Sequence, residues 1–368
     1  MYKSAMSFLI VVLIIVLSTV VSSDEKTKYS PAIFSFGDSI LDAGNNRFLK
    51  NSTIRADFPP YGSSYFPNPT GRFTNGRTVP DFISQFLGID FQKPFMESNA
   101  GVLSGSLKSY PSNGVNFASG GSGVLPGTET AELGVIPLEE QLQQFQTMVL
   151  QNQIDLSLIQ KSLFFFESGS NDIFDFFESP EETRVDPEEH VELMLSQVKK
   201  FVKRIYSLGA RRIVLLSLPP VGCAPGRAML QDSPINRCDE HMNVMVKRYN
   251  FGLHELAKHV EFLCPGSLGT YGAIYDILKF QINIGFFSEF SDVKTACCGG
   301  GSLGGERQCG VRGYTRCEKP DDFLFWDSFN PTQRAYELIA NDLWNGWLVN
   351  IRPYNLITLA DLQLIPAA

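Results

Sequence analysis

The chain has 368 residues, of which 43% are hydrophobic and 12% aromatic. These proportions suffice for a sizeable core and exclude a disordered protein. The net charge of −8 and the scattered Lys and Arg residues provide no basic surface for phosphate backbones, so nucleic acid is not an expected partner. Length alone leaves open one large α/β domain or two smaller ones.

The N-terminus has the features of a secretory signal peptide. An apolar stretch from Phe8 to Val21 is too short to cross a bilayer comfortably, and the small residues Val21 and Ser23 suit a cleavage site. We therefore predict a signal peptide over residues 1–23 and a mature chain that begins near Asp24. No later stretch reaches ~18 uninterrupted apolar residues, so no transmembrane segment is predicted in the mature chain.

Short β-rich apolar runs alternate with longer amphipathic stretches along the chain. Buried strands are predicted over residues 32–36, 115–117, 163–167, 212–218 and 271–277. Helices are predicted over residues 79–87, 138–150, 187–207, 239–262 and 331–344. This alternation predicts an α/β fold with a central, mainly parallel sheet of about five strands between two helical layers, and ligands bound beyond the carboxyl ends of the strands.

The sequence contains no internal repeat and no linker long enough to separate two domains. We therefore predict a single domain over residues 24–368. The segment from Arg47 to Tyr110 is rich in Pro, Gly, Asn and aromatic residues, which indicates loops over the carboxyl edge of the sheet.

Seven cysteines all lie in the second half of the chain: Cys223, Cys238, Cys264, Cys297, Cys298, Cys309 and Cys317. An oxidising compartment favours disulfides, whose pairing stays open, and one cysteine must be left over. Cys264, at the end of a helical segment, is the candidate for the free, buried thiol. The four C-terminal cysteines could suggest zinc, but no His lies among them, so neither a metal site nor a cofactor is predicted.

One glycosylation sequon is present, Asn51-Ser52-Thr53. In a secreted protein it makes Asn51 a candidate glycosylation site, although so short a motif is only weakly informative.

Polar and glycine-rich segments follow three of the predicted strands directly. Gly37-Asp38-Ser39 follows the first, Ala118–Gly123 the second and Ser168–Asp172 the third. Because parallel strands end at the same edge of a sheet, we expect these segments to lie together.

The first of these segments belongs to a longer motif with a known counterpart. Phe34–Ile40, followed by Asp42 and Gly44-Asn45-Asn46, strongly resembles the first block of the plant GDSL esterase/lipase family, within the SGNH hydrolases. Further matching segments follow in the family's order along nearly the whole mature chain: Gly71–Arg77, Asn116–Gly121, Gly169–Asp172, Pro219–Pro225 and Ala296–Gly299. The resemblance implies a flavodoxin-like SGNH hydrolase fold.

The resemblance also implies roles for individual residues. Ser39, expected at the mouth of a helix after a strand, is similar to the family's nucleophile, and Asp327 to its triad acid. The oxyanion hole would comprise the backbone N–H groups of Ser39 and Gly120 and the side-chain amide of Asn171. A glycine at position 120 would let the backbone approach the substrate.

The last block departs from the family pattern, which is an Asp, two residues and a His. Here the segment reads Asp327-Ser328-Phe329-Asn330, and an amide cannot accept the serine proton at neutral pH. Reduced or altered turnover is therefore expected. One hypothesis is that Asp327 acts on Ser39 through a water molecule held by Asn330.

Two further observations bear on this departure. Asn330 followed by Pro331 is a suitable N-cap and first-turn pair for the last predicted helix, which is a structural explanation of the residue. All four histidines lie in amphipathic helical stretches, and none is predicted to reach Ser39: His190, His241, His254 and His259.

The expected function is hydrolysis of a lipid or specialised-metabolite ester, or a related acyl transfer. The alternative is a catalytically deficient binding or modifier protein that retains the oxyanion pocket. Either is expected to be a secreted monomer, extracellular or in the cell wall, with the vacuole and endoplasmic reticulum lumen also open. An apolar acyl pocket is predicted from six phenylalanines: Phe174, Phe176, Phe177, Phe286, Phe287 and Phe290.

Overall fold

The computed structural model describes residues 29–128 and 133–362. The predicted signal peptide and its cleavage site lie outside the described residues. In these two ranges no helix is both long enough and apolar enough to cross a membrane.

The described residues contain both strands and helices in alternation. The strands are β1 Ile33–Gly37, β2 Lys93–Pro94, β3 Val115–Asn116, β4 Leu163–Glu167, β5 Arg212–Leu216, β6 Leu268–Gly272, β7 Asp292–Ala296, β8 Cys298–Gly299, β9 Thr315–Arg316, β10 Phe323–Phe325 and β11 Ile351–Arg352. The α-helices are α1 Val79–Leu87, α2 Phe95–Leu103, α3 Leu138–Leu150, α4 Leu156–Lys161, α5 Ser170–Glu178, α6 Pro187–Ser207, α7 Glu240–Lys258, α8 Val260–Leu263, α9 Ile274–Ile284, α10 Gln333–Asn345 and α11 Leu356–Asp361.

Seven strands form the central sheet, in the order β11-β6-β5-β4-β1-β3-β2. The pairs are parallel except β11 with β6, which confirms the predicted α/β fold. The two strands that the prediction of about five lacked, β2 and β11, are the edges. Each has two residues, too few to produce a periodic signal.

Successive side chains of each strand point to opposite faces of the sheet, so two separate hydrophobic cores form, one on each face. In β4, Phe164 and Phe166 join the core beneath α3, α6 and α7, whereas Leu163 and Phe165 join the core beneath α1, α9 and α10. Each strand is therefore apolar on both faces, as expected of a sheet covered by helices on both sides.

The chain after β6 differs from the prediction. The run 271–277 was expected to be a strand, but β6 ends at Gly272 and α9 begins at Ile274. Ile274, Ile277 and Leu278 have helical spacing and all face the core, and short apolar runs do not distinguish the two periods.

Two other helices have shifted ends, and one segment is more regular than expected. The helix predicted over 239–262 breaks at His259 into α7 and α8. The last helix begins at Gln333, with Thr332 rather than Asn330 as its N-cap. The segment 47–110 contains β2 and α2 as well as loops.

Three disulfides close loops in the second half of the chain: Cys223–Cys238, Cys297–Cys317 and Cys298–Cys309. Cys264 is free and buried, which confirms its prediction as the leftover thiol. Cys297 and Cys298 also donate backbone hydrogen bonds to the carbonyls of Phe325 (3.0 Å) and Trp326 (2.7 Å). The disulfides thus anchor the chain that leads into Asp327.

Candidate active site

Ser39 lies in a tight turn directly after β1, not at the mouth of a helix as expected. The carbonyl of Asp38 accepts from the backbone N–H groups of Leu41 (3.2 Å) and Asp42 (3.0 Å), and the next helical turn is a 3₁₀ turn at Asn45–Phe48. Ser39 is half-buried. Within the described residues neither its hydroxyl nor its N–H has a hydrogen-bond partner, so both are available to a ligand.

Two asparagines hold the turn against the loop after β3. The Asn45 side chain donates to the carbonyls of Asn116 (2.9 Å) and Ala118 (2.8 Å). The Asn46 side chain donates to the carbonyl of Gly120 (2.8 Å) and accepts from the hydroxyl of Ser119 (2.5 Å). The first and second sequence blocks are therefore joined by side chains that satisfy backbone groups of the loop.

Gly120 lies in this loop, but its N–H is already engaged. It donates to Oδ2 of the buried Asp42 at 2.9 Å, and burial raises the pKa of Asp42 to about 6. A Cβ at position 120 would lie 2.4 Å from the ring of Phe73. The absence of a Cβ therefore lets the Phe73 ring pack against this position.

Asn171, near the start of α5, reaches the same edge of the sheet. Its side-chain nitrogen donates to the carbonyl of Ser122 (2.9 Å) and, at 3.4 Å, to Oδ2 of Asp38. The next residue, Asp172, has a structural role. Its carboxylate accepts from three donors of the loop after β3: the backbone N–H groups of Val124 and Leu125 (both 2.8 Å) and the hydroxyl of Thr128 (2.6 Å).

Asp327 and Asn330 form a closed hydrogen-bonded turn between β10 and α10. Oδ1 of Asp327 accepts from the backbone N–H (2.8 Å) and side-chain Nδ2 (2.9 Å) of Asn330, and Oδ2 accepts from the hydroxyl of Tyr61 (2.9 Å). Burial raises the pKa of Asp327 although these donors oppose the rise. Asn330 is 3% exposed, and its Oδ1 has no donor in the described protein.

Ser39 and Asn171 line the same small cavity of about 30 Å³, and its walls include Phe174, Phe329 and Pro331. Gly120 is not part of its lining. The rings of Phe174 and Phe329 meet edge to face at 5.0 Å. This volume accommodates only one or two water molecules.

The prediction of the acyl pocket is therefore largely wrong. Among the six phenylalanines named for it, only Phe174 lines this cavity. Phe176 and Phe177 border a separate groove, and Phe290 is buried in the core. Phe286 and Phe287 are 97% and 84% exposed. Their position in the sequence, near an α-helix end, did not reveal which way the chain turns.

The four histidines lie away from Ser39. His190 packs on Phe176, the side chain of His241 lies in solvent, His254 interacts with Arg352, and His259 with the carbonyl of Glu255. None of them contacts Ser39, as the sequence predicted.

The family profile described as GDSL-like Lipase/Acylhydrolase matches residues 33–343. The chain belongs to this family. "GDSL esterase/lipase 6" of Arabidopsis thaliana is 51% identical over 98% of this chain and 99% of its own length. "GDSL esterase/lipase 5" of the same plant is 32% identical over 90% and 88%, and the "GDSL lipase" of Tanacetum cinerariifolium is 30% identical over 91% and 89%.

A solved structure, of an acetyl-xylooligosaccharide esterase from Geobacillus, has a TM-score of 0.30 and 15% identity over 69% of this chain and 82% of that chain. This likeness is too low to bear on substrate. Membership of the GDSL-like lipase/acylhydrolase family makes the chain a carboxylic ester hydrolase by class.

Three groups at the site were missed from the sequence. Tyr61 donates to Asp327 from a loop far away along the chain, Phe329 forms the wall opposite Phe174, and Glu167 lies buried beside Asp38. Only Glu167, an ionisable residue at the end of an otherwise apolar strand, carried a local signal, since a carboxyl group is rarely buried without a partner.

Proposed function

We propose that this protein hydrolyses carboxylic esters through Ser39, with a turnover reduced because Asn330 stands at the position of the family's histidine. The observation that carries the proposal is the shared cavity. Ser39, with an unpartnered hydroxyl and N–H, and Asn171 both line it, and a nucleophile beside hydrogen-bond donors is what acyl transfer requires.

The oxyanion formed on attack would be bound by the Ser39 N–H, and by the Asn171 side chain once it exchanges its 3.4 Å hydrogen bond to Asp38 for the substrate oxygen. Gly120, the third donor that the family resemblance implies, would join only if Asp42 released its N–H. Two donors still supply substantial stabilisation, because removing one such donor typically costs ~10²–10³-fold in turnover.

Asn330 supports reduced rather than ordinary turnover. Its Nδ2 donates to Asp327, which is the bond that the Nδ1–H of a triad histidine would make. Its Oδ1 cannot hold the proton of Ser39 or return it to the leaving group. The orienting acid is retained, and the base is absent.

The test is hydrolysis of a short-chain p-nitrophenyl ester by the wild type, Ser39→Ala and Asn330→His. Asn330→His is expected to raise kcat/KM by at least about 100-fold, since loss of a triad member costs ~10⁴–10⁶ in serine hydrolases. Ser39→Ala should abolish activity in either background. An Asn330→His protein that folds but stays at the wild-type rate would refute the assignment of Asn330.

The second candidate is an acyl-binding or modifier protein, and the lack of a base at Asn330 is the observation that favours it. It predicts that a fluorophosphonate does not label Ser39 and that binding of a fluorescent fatty acid survives Ser39→Ala. Labelling of Ser39 in the wild type would exclude this candidate.

We also propose that the protein is secreted, folds as a single domain over residues 24–368 and is a monomer. The three disulfides support an oxidising compartment, and the exposed side chain of Asn51 supports its glycosylation. Mass spectrometry of the secreted protein, before and after deglycosylation, would test the N-terminus near Asp24 and the occupancy of Asn51.

A further inference from the structure

Two carboxyl side chains lie side by side beneath the turn that carries Ser39. Glu167 is the last residue of β4, and Asp38 is the first residue after β1. These strands are paired in register, with Gly37 opposite Glu167, and the N–H of Asp38 donates to the carbonyl of Glu167 at 3.2 Å. Both side chains are fully buried.

The hydrogen bonds of the two carboxyl groups are unequal. Asp38 accepts from the N–H of Ile40 at 3.0 Å and from the Asn171 side chain at 3.4 Å. Within the described residues, no N–H or hydroxyl group donates a hydrogen bond to either oxygen of Glu167. The carboxyl groups of Glu167 and Asp38 interact with each other, and a hydrogen bond between two carboxyl groups requires a proton on one of them. That proton belongs on Glu167, because Asp38 already has two donors for its negative charge.

The surroundings disfavour a second negative charge. Asp42 and Asp172 act on Asp38 as further carboxylates. Burial raises the pKa values of Tyr249 in α7 and Tyr336 in α10, and the neighbouring carboxyl groups of Glu167 and Asp38 raise both further. The carboxyl group of Asp327 also raises the pKa of Tyr336. The hydroxyl of Tyr249 donates to the carbonyl of Ser168 at 2.9 Å, whereas the hydroxyl of Tyr336 has no partner in the described protein.

We propose that Glu167 is a neutral carboxylic acid in the folded protein at pH 7, that its O–H donates to Asp38, and that this acid pair positions the Ser39 turn and Asn171. The positioning role rests on the proposed function of Ser39, whereas the proton on Glu167 does not. Glu167 is thus a positioning residue that acts through Asp38, whose carboxylate holds the N–H of Ile40 and the amide of Asn171.

Infrared spectroscopy tests the proton directly. The wild type at pH 7.5 is expected to show the C=O band of a protonated carboxylic acid, and Glu167→Gln should lose it. Glu182→Gln, a change at an exposed glutamate, is the matched control and should retain it. A wild-type spectrum without this band, or a band that survives Glu167→Gln, would overturn the proposal.

If Glu167→Gln does not fold, Asp38→Asn provides a second measurement. The introduced amide can donate to Glu167, which no longer faces a negative charge and is expected to ionise, so the band should again disappear. Persistence of the band in folded Asp38→Asn would place the proton elsewhere and refute the assignment.

The positioning role is tested by the rate at which a fluorophosphonate labels Ser39. Glu167→Gln retains a donor to Asp38 and should keep the rate within about threefold, whereas Glu167→Met, of similar length but without a donor, should lower it about tenfold, as expected for one lost hydrogen bond. Equal rates in both variants would refute the role.

The pH dependence separates positioning from general damage to the fold. As pH rises above neutrality, labelling of the wild type should fall when Glu167 ionises beside Asp38, and Glu167→Gln should lack this fall. If the wild type is not labelled at all, the proposed function fails and the infrared result still decides the proton. If the wild type is labelled and the infrared band is absent, the assignment of the proton to Glu167 fails and the proposed function of Ser39 stands.

Discussion

In the proposed function, Asn330 keeps the hydrogen-bonded geometry of the site without the chemistry of a histidine. Its side chain makes a 2.9 Å hydrogen bond to Asp327, and the Asp327 carboxylate is further held by Tyr61. The hydrogen bonds of this turn therefore form without an imidazole, and one buried oxygen, Oδ1 of Asn330, has no donor in the described protein. An unpaired buried acceptor costs about 1–3 kcal/mol, so an internal water molecule is the expected partner.

Phe329 is expected to limit the length of acyl chain that reaches Ser39. Its ring closes the cavity against Phe174, so Phe329→Ala should enlarge the acyl side. In an Asn330→His background, the kcat/KM ratio of p-nitrophenyl octanoate to acetate should rise about tenfold, a typical value for a change in an apolar pocket. Phe287→Ala, at an exposed ring, is the control. An unchanged ratio would mean that the acyl chain leaves by another path.

At the scale of elements, the parallel pair β1–β4 places Ser39, Asp38 and Glu167 at one edge. Five residues of β1 pair in register with β4, and the two strands end together. The turn that carries Ser39 is therefore held by sheet pairing and by the side chains of Asn45 and Asn46 rather than by a helix terminus.

Gly37→Ala tests how strictly this pairing is required. Gly37 has φ +142°, and a Cβ there would lie 1.7 Å from the carbonyl oxygen of Glu167, so the strands must separate. We expect a loss of at least about 3 kcal/mol of unfolding free energy, measured by urea denaturation. Gly88→Ala also has a positive φ, +72°, but open space around the Cβ, and should cost about 1 kcal/mol. Equal losses would contradict the steric account.

At the scale of the whole molecule, buried carboxyl groups make stability depend on pH. Burial raises the pKa values of Asp38, Asp42, Glu167 and Asp327. The folded state then retains protons that the unfolded state has released, so their contribution is fully present below the unfolded pKa and is lost as pH rises. In Asp57 a hydrogen bond from Arg55 lowers the pKa, which acts in the opposite direction near pH 4.

We therefore expect the melting temperature to be higher near pH 5 than at pH 8. The pKa of Asp42 rises from 3.8 to about 6, which alone corresponds to a loss on the order of 3 kcal/mol between pH 4 and pH 7. Thermal unfolding followed by circular dichroism between pH 4 and pH 8 provides the measurement. Glu167→Gln should show a flatter profile, and a wild-type profile that rises towards pH 8 would contradict the sign.

The sequence by itself determined the fold class, four of the five principal strands and the helices 79–87, 138–150 and 187–207, because their apolar periodicity is local and strong. It also identified Cys264 as the free thiol. The ordered motifs around Ser39, Gly120 and Asn171 identified the family, since those residues stand at fixed places along the chain.

Only the tertiary structure decided what those residues touch. Contacts between distant segments determine the hydrogen bond of the Gly120 N–H, the cavity wall formed by Phe329 and the hydrogen bond from Tyr61 to Asp327. No periodic pattern in the sequence indicates such contacts. The proximity of Glu167 to Asp38 arises from strand register, which hydrogen bonding between β1 and β4 sets in three dimensions. Short edge strands and helix ends also escaped prediction, because packing outweighs weak local preference there.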